Sequence, residues 1–355
     1  MKCNISSCLW RLLLIPVAWV LMFAFMLGVA GCATTPQPLQ MPMSDKIVWP
    51  PPPMKPRISW IQAIVTPADA GIRTGFWKRV ASAIFGEEQV RIVRPYGIHV
   101  DRKKRIIVAD TGGRVVHFID PASGRYEVVR GTAESTFMSP VGVTEDTGGM
   151  VYVTDSGAGK IYRFRPDNLK VTPFISGLQR PTGIVYSSQT NLIYVSDTVA
   201  GQVIAFTTRG KESFRFGVAG ENTGQFNHPT DLAVDGLGRI FVIDALNGRV
   251  QTFSGKGEYL KSFGEQGDSS GNFAKPKGIA IDSEGHLHIC DALFDTVQIF
   301  DEDGQFLLSY GNRGGGKGEL WMPSGLFIRD DMIYVADTYN NRIQIFKYLP
   351  EVSGK

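Results

Sequence analysis

Cysteine and net charge are both scarce in this sequence, and each scarcity excludes a class of protein. Of the four cysteines in 355 residues, Cys3, Cys8 and Cys32 lie at the start, and only Cys290 lies further along. A domain that begins after residue 32 therefore has no pair of cysteines for an internal disulfide. The formal net charge is only +3, which gives no support for a nucleic-acid partner.

One long apolar run is present, and it lies at the beginning of the chain. Residues 12–28 read LLLIPVAWVLMFAFMLG, after the short basic start MKCNISSCLWR and before the small residues of VAGC. This pattern is typical of a secretion signal. Because the run is nearly long enough to span a bilayer, a retained membrane anchor is the alternative.

The tetrapeptide Val-Ala-Gly-Cys at residues 29–32 resembles the lipobox of bacterial lipoproteins. The resemblance implies cleavage before Cys32, a lipid on its sulfur and acylation of the new amino terminus. Several acyl chains on one residue hold a protein on a membrane durably. Ala33, in place of an aspartate, points by analogy to the outer membrane, with the protein facing the periplasm or exposed on the surface.

Residues 33–56 read ATTPQPLQMPMSDKIVWPPPPMKP. Such a proline-rich stretch predicts an extended, semi-rigid tether without helix or sheet. Loss of the signal removes Lys2 and Arg11 and no acidic residue, so the net charge falls from +3 to about +1. We therefore divide the chain into a signal (1–31), a lipidated cysteine with its tether (32–56), a connecting part (57–93) and a repeat domain (94–355).

A unit that opens with proline occurs six times, at intervals of about 41 to 48 residues. It starts at Pro95, Pro140, Pro181, Pro229, Pro276 and Pro323. In the fifth copy its alternating apolar stretches predict strands at 279–282, 287–291, 296–300 and 306–310. Four short antiparallel strands at this spacing are typical of a propeller blade.

Copies such as PSGLFIRDDMIYVADTYNNRIQIF resemble NHL repeats, and the resemblance covers residues 94–346. It implies an all-β protein, a six-bladed β-propeller of four-stranded antiparallel blades. The residues agree, since five of the six first strands carry a glycine where blades converge on the axis and backbones crowd. These are Gly97, Gly142, Gly183, Gly278 and Gly325.

The sixth unit lacks an outer strand, which would leave an open ring with an unpaired edge. The stretch RISWIQAIV, residues 57–65, has the alternation of a strand, and we predict that it closes the last blade. Residues 74–86 follow with apolar side chains at helical spacing, which predicts one short amphipathic helix. This helix either packs on the rim, or lids the central channel or presents a docking surface.

Residues that recur in all six units predict structure, and those that break the pattern predict function. One aspartate ends the second strand of each unit, and we expect it to fix the following turn rather than to form a ring of metal ligands. These residues are Asp110, Asp155, Asp197, Asp244, Asp291 and Asp337. His288 occupies the place of Tyr152, Tyr194, Phe241 and Tyr334, which predicts a packed ring.

The position before each opening proline should surround the channel mouth. Three copies carry a permanent cation there, Arg94, Arg180 and Lys275, and a fourth carries His228. Such a set favours an anionic ligand or an acidic protein segment; ordinary solvated charges are the alternative. Asp231 replaces the glycine of the other copies, so His228 and Asp231 are either an acid–base or metal pair or a local hydrogen-bonding pair.

Aromatic residues also break the pattern on this face. Trp321 replaces smaller side chains of the other units, and Phe294 and Tyr339 lie in the turns after Asp291 and Asp337. Exposed together, they would form an apolar patch suited to gripping a peptide or protein loop. Packing within the core or loops is the alternative.

The predicted function is that of a lipid-anchored scaffold of the cell envelope, which presents a propeller face to a protein or peptide partner. The alternative is a metal-dependent lyase or hydrolase with its site at the central channel. Related propeller enzymes need several histidines, or carboxylates with asparagine, on a channel metal, and no such set is visible. We therefore expect no cofactor, no bound metal and no catalytic residue, and an enzyme remains the less favoured interpretation.

Overall fold

The computed structural model describes residues 46–72 and 91–350. The signal, Cys32, the tether up to residue 45 and the predicted helix at 74–86 lie outside the described residues. Within the described part, no helix has the length and apolar character needed to cross a membrane.

The strands form six antiparallel sheets arranged as the blades of a propeller. Blade 1 contains β3 (Pro95–Val100), β4 (Ile106–Asp110), β5 (Val115–Asp120) and β6 (Arg125–Val129), and blade 2 contains β7 (Pro140–Glu145), β8 (Val151–Asp155), β9 (Lys160–Phe164) and β10 (Thr172–Ser176). Blade 3 contains β11 (Pro181–Ser187), β12 (Leu192–Asp197), β13 (Gln202–Thr207) and β14 (Glu212–Phe216), and blade 4 contains β15 (Pro229–Val234), β16 (Ile240–Asp244), β17 (Arg249–Phe253) and β18 (Tyr259–Phe263). Blade 5 contains β19 (Pro276–Ile281), β20 (Leu287–Asp291), β21 (Thr296–Phe300) and β22 (Phe306–Tyr310).

Blade 6 joins both ends of the domain. It contains β23 (Leu326–Arg329), β24 (Met332–Asp337) and β25 (Arg342–Tyr348), followed by β2 (Ile58–Ile64) and β1 (Val48–Trp49) from the beginning of the described chain. Three short 3-10 helices, Pro67–Ala70, Ala245–Asn247 and Thr338–Asn340, lie in turns. The predicted six-bladed propeller, and three of the four strands predicted for the fifth unit, are confirmed.

The first strands pack against one another around the axis, from β3 through β7, β11, β15 and β19 to β23 and back to β3. Glycine is required in these first strands because the backbones of neighbouring blades come too close for a Cβ atom. A Cβ at Gly97 would overlap the carbonyl oxygen of Val141 in the next blade, and a Cβ at Gly325 would overlap that of Tyr96. The second strands of blades 1, 2, 4 and 5 are buried along their whole length, because neighbouring blades cover both of their faces.

The closing strand is confirmed as the fourth strand of blade 6. It pairs with β25 from Ile58 opposite Tyr348 to Ile64 opposite Ile343, with a bulge between Trp60 and Gln62. A bulge reverses the faces of the residues beyond it. Accordingly, Ile58 packs in the cluster shared with blade 5, whereas Ile64 packs in the cluster shared with blade 1.

The predicted tether differs from the structure at its end. Val48–Trp49 forms a short strand that pairs with β2, although the stretch was expected to contain no sheet. The reason is tertiary packing, since the Trp49 ring lies 6.2 Å from that of Tyr310 and 5.7 Å from that of Phe346. A large aromatic side chain in a wedge between blades outweighs the weak strand propensity of its proline-rich surroundings.

Candidate binding face

The six recurring aspartates are buried, and each accepts a hydrogen bond from the backbone before an opening proline. In blade 1, Asp110 accepts hydrogen bonds from the backbone N–H of Val93 (2.7 Å) and Arg94 (2.9 Å), and from Gly113 in the following turn (2.8 Å). Equivalent bonds reach the residues before the opening proline in the other blades. The predicted bonds from turn N–H groups are confirmed for Asp110, Asp155 and Asp291. Asp244 and Asp337 instead fix their turns through the side chains of Asn247 and Asn340. Each carboxylate also holds the loop that carries the candidate site residues.

These loops and turns lie side by side on one face of the propeller, which we call the loop face. It consists of the two residues before each opening proline and the turn after each recurring aspartate. In blade 1 the N–H of Thr111 donates to the carbonyl of Arg94 (3.0 Å), and in blade 6 that of Tyr339 donates to the carbonyl of Trp321 (3.1 Å). Because the first strands converge on the axis, the loop face surrounds one end of the central channel.

Trp321 and Tyr339 form an exposed aromatic pair on the loop face. Their ring centroids are 5.7 Å apart, and each side chain is 44% exposed. The guanidinium of Arg94, from the next blade, lies 5.4 Å from the centroid of the Tyr339 ring. Three of the residues singled out from the sequence are thus in contact across the boundary between blades 6 and 1.

Phe294 is not part of this pair. It is half-buried and lines a separate depression of about 260 Å³ with residues such as Asp268 and Arg313. Its neighbour Asp295 instead fixes the loop of blade 6, since its carboxylate accepts a hydrogen bond from the N–H of Met322 (2.7 Å). The expected three-residue patch is therefore corrected to Trp321 and Tyr339.

Sequence reasoning missed that other exposed apolar side chains extend this pair around the loop face. They occupy two kinds of position, two residues before the opening proline or two residues after the recurring aspartate. They are Val93, Met138, Val199, Leu246 and Leu293, each roughly half exposed. The recurrence of apolar residues at these two positions was visible in the sequence, but only the structure shows that the positions adjoin.

The cations predicted at the mouth lie inside this ring. Arg94, Arg180 and Lys275 are exposed at the starts of the first strands, and the structure adds Lys277, half-buried one residue beyond the proline. Within the described residues, no carboxylate lies within ion-pair distance of any of these four side chains. Several half-buried arginines elsewhere are paired, such as Arg249 with Asp244 (2.8 Å) and Arg342 with Asp337 (2.7 Å).

We call the narrow part of the channel just inside the mouth the throat; it consists of Tyr96, Lys277 and Asp231. The ammonium of Lys277 lies 5.6 Å from the Tyr96 ring centroid. Burial lowers the pKa of Lys277, and the positive charge of Lys275 lowers it further. Neither Tyr96 nor Lys277 was singled out from the sequence, although both break the pattern of Val141, Thr182, Thr230 and Ser324 at this position.

Asp231 and His228 do not form the expected local pair. The carboxylate of Asp231 accepts a hydrogen bond from the N–H of Ile279 in the next blade (3.3 Å), whereas the His228 ring lies 3.0 Å from the Asn227 side-chain oxygen. His228 has a left-handed φ of 58° immediately before β15, so strand alternation does not relate the two side chains. Burial inside the channel raises the pKa of Asp231 to about 7, although two backbone N–H groups act to lower it.

His117 and His288 are fully buried and hydrogen-bonded within the blades. His288 is fully buried, as predicted, with its ring nitrogens 3.1 Å from Asp282 and 3.2 Å from the Tyr310 hydroxyl. Over residues 46–72 and 91–350, no three His, Cys, Asp or Glu side chains are arranged to hold a metal ion. Below the throat, the channel cavity has a volume of about 170 Å³ and is lined largely by the first strands, including Val143, Val185 and Leu232.

Comparison with known families agrees with this architecture. A family model described as "SMP-30/Gluconolactonase/LRE-like region" matches residues 97–265, and the NHL repeat model matches residues 320–346. The first match covers blades 1 to 4, and the second covers most of blade 6.

Solved structures of similar fold include proteins of different function. Virginiamycin B lyase from Staphylococcus aureus is 14% identical, with a TM-score of 0.55 over 72% of this chain and 96% of that chain. An auxiliary nutrient binding protein from Bacteroides thetaiotaomicron is 13% identical, with a TM-score of 0.59 over 72% and 69% of the two chains. A chain of a nidogen/laminin complex is 14% identical, with a TM-score of 0.51 over 70% and 88%. At such identities the similarity shows the fold alone.

Proposed function

Since this chain is an NHL-repeat six-bladed β-propeller, we propose that it acts as a lipid-anchored binding and assembly scaffold of the bacterial cell envelope. Its loop face would receive a protein or peptide partner, and the lipid on Cys32 would hold the domain at the outer membrane, on the periplasmic side or the surface. The lipobox-like residues 29–32 support the anchor.

The observation that carries the binding proposal is the ring of exposed apolar side chains around a cationic mouth, whose four cations have no carboxylate within ion-pair distance in residues 46–72 and 91–350. Exposed apolar groups that lie together favour association with another protein, and aromatic and arginine side chains are the usual anchors of such interfaces. Trp321, Tyr339 and Arg94 are in contact here, and their loops are fixed by buried aspartates. A rigid face loses less entropy on binding than a flexible one.

Propellers of similar fold support this proposal without deciding it. One is described as a nutrient binding protein and another belongs to a complex of two proteins. The similarity to a lyase, and to a family named for a lactonase, would favour the enzyme alternative. That alternative needs His228 and Asp231 to act together, and their side chains contact different partners.

The test is capture of envelope proteins by the full-length lipidated protein, compared between variants by quantitative mass spectrometry. In Trp321→Ala/Tyr339→Ala the aromatic pair is lost, and Leu237→Ala is the matched control. Leu237 is 79% exposed, in the turn between β15 and β16 at the opposite ends of the strands. We expect a partner that wild type and the control retain and that the double variant loses at least about tenfold. Equal recovery by all three proteins would contradict a loop-face interaction.

A further inference from the structure

Positive charge is concentrated at the throat and the mouth above it, and within the described residues no carboxylate lies within ion-pair distance of Lys277, Lys275 or Arg180. Lys277 points its charge into a half-buried position beside the Tyr96 ring, with Lys275 close enough to lower its pKa. Arg180 is near enough to Tyr96 to act on its hydroxyl electrostatically. Burying like charges together is unfavourable unless an opposite charge joins them, so this arrangement favours occupation by an anion.

We propose that the throat is a subsite for one carboxylate of the partner, the side chain of an aspartate or glutamate that enters the channel mouth and pairs with Lys277 and Arg180. This inference deepens the proposed function and rests on it, because it assigns a chemical class to the segment that docks on the loop face. The apolar ring would contact the rest of that segment.

The size of the channel limits what enters it. Below the throat the cavity measures about 170 Å³ and is lined by strand backbone and aliphatic side chains such as Val143 and Val185. A single side chain fits such a volume, whereas a folded segment does not. The donors at the mouth are an ammonium and a guanidinium, which form strong charge-assisted hydrogen bonds with carboxylates.

Asp231 gives the subsite a dependence on pH. Its carboxyl group lines the channel and is close enough to Tyr96 and Cys290 to act on both electrostatically. Arg180 acts on the same tyrosine, and Lys277 acts on the same cysteine. With a pKa raised to about 7, the group is largely protonated in mild acid and ionised in mild base. The ionised form repels an incoming carboxylate, so affinity should fall as pH rises through about 7.

The experiment measures binding of fluorescein-labelled hexaglutamate to the full-length protein by fluorescence anisotropy, with labelled hexaglutamine as the uncharged probe. We expect hexaglutamate to bind and hexaglutamine to bind at least about tenfold more weakly. Lys277→Met should weaken hexaglutamate binding about tenfold or more, whereas Lys170→Met, the same charge change at an exposed turn of blade 2, should weaken it less than about twofold. Equal effects of the two lysine variants would overturn the throat as the subsite.

Asp231→Asn tests whether Asp231 is the source of this pH dependence, and His228→Asn is the control. We expect wild type to bind hexaglutamate several-fold more tightly at about pH 6 than at about pH 8, and Asp231→Asn to lose most of this difference by binding tightly at both. His228→Asn should retain it. The opposite result, with the dependence lost in His228→Asn and kept in Asp231→Asn, would overturn the role of Asp231.

Two further outcomes separate this inference from the proposed function. If hexaglutamate does not bind while the Trp321/Tyr339 variant still loses an envelope partner, the throat proposal fails and the scaffold proposal stands. If hexaglutamate binds as expected but no partner depends on the aromatic pair, the scaffold proposal fails. Displacement of the peptide by free glutarate at equal concentration would assign the subsite to small dicarboxylates rather than to a protein segment.

Discussion

The strand that closes the ring allows a quantitative test of the fold. On β2, Ile58 and Ile64 are buried to 0% and 1% exposure, whereas Ile61 of the same strand is 42% exposed. Replacing a fully buried isoleucine by alanine costs about 2–5 kcal/mol. Ile58→Ala and Ile64→Ala should therefore each lower the free energy of unfolding by about 3 kcal/mol, and Ile61→Ala should change it by no more than about 0.5 kcal/mol.

The two effects should also add. Because of the bulge in β2, Ile58 contacts the cluster around Phe346 and Tyr310, whereas Ile64 contacts the cluster around Ile98 and Ile345. Residues without shared partners give nearly additive changes in stability. The loss in each single variant should lower the melting temperature by roughly 6–12 °C, measured by circular dichroism with urea titrations in parallel. Shifts of Ile58→Ala and Ile64→Ala no larger than that of Ile61→Ala would refute the closing role.

Three further predictions concern other parts of the fold. Gly325→Ala should destabilise the protein by about 1–3 kcal/mol, because the added Cβ would overlap the carbonyl oxygen of Tyr96. Gly236→Ala is the control and should leave stability unchanged, because the space around its Cβ is open. Equal urea midpoints for the two variants would contradict the packing role of Gly325. Burial lowers the pKa of His288 below its usual value of 6.5. The free energy of unfolding should therefore fall as the pH drops below 6.5, because the unfolded chain binds a proton that the folded protein does not. In His288→Phe the urea midpoint should depend less on pH below 6.5 than it does in wild type. Trp49→Ala should expose residues 46–56 to faster limited proteolysis while the blades resist, because it loses its contacts with blades 5 and 6; an unchanged cleavage rate would show that β1 is not held by this ring.

The propeller could be predicted because each unit repeats the same physical requirements. Glycine is needed where Gly97 and Gly325 meet a neighbouring backbone, and an aspartate such as Asp110 is needed to bind two loops at once. The closing strand followed from the missing fourth strand of the sixth unit, since a sheet edge and an open ring are both unfavourable. These inferences need only local pattern and ring closure.

The throat could not be predicted in the same way. Tyr96 and Lys277 lie far apart in the sequence and meet only because blades 1 and 5 both reach the axis. Conversely, His228 and Asp231 are close in sequence, yet the left-handed backbone at His228 and the start of β15 separate their partners. The strand at Trp49 could not be predicted either. It depends on contacts with Tyr310 and Phe346, which lie about 260 to 300 positions further along the chain, and local propensity does not report such contacts.

The arrangement also explains how one repeat can support a specific binding face. The loops before the opening prolines are held by hydrogen bonds from their backbone N–H groups to buried aspartates. The side chains of Arg94, Lys275 and Trp321 take no part in these bonds. Positions such as 94, 275 and 321 can therefore change without loss of the loop conformation. The first-strand glycines are restricted by packing. The one replacement among them, Asp231, lies where its carboxylate accepts a hydrogen bond from a backbone N–H of the next blade. Specific recognition is thus expected at these free positions rather than in the shared framework.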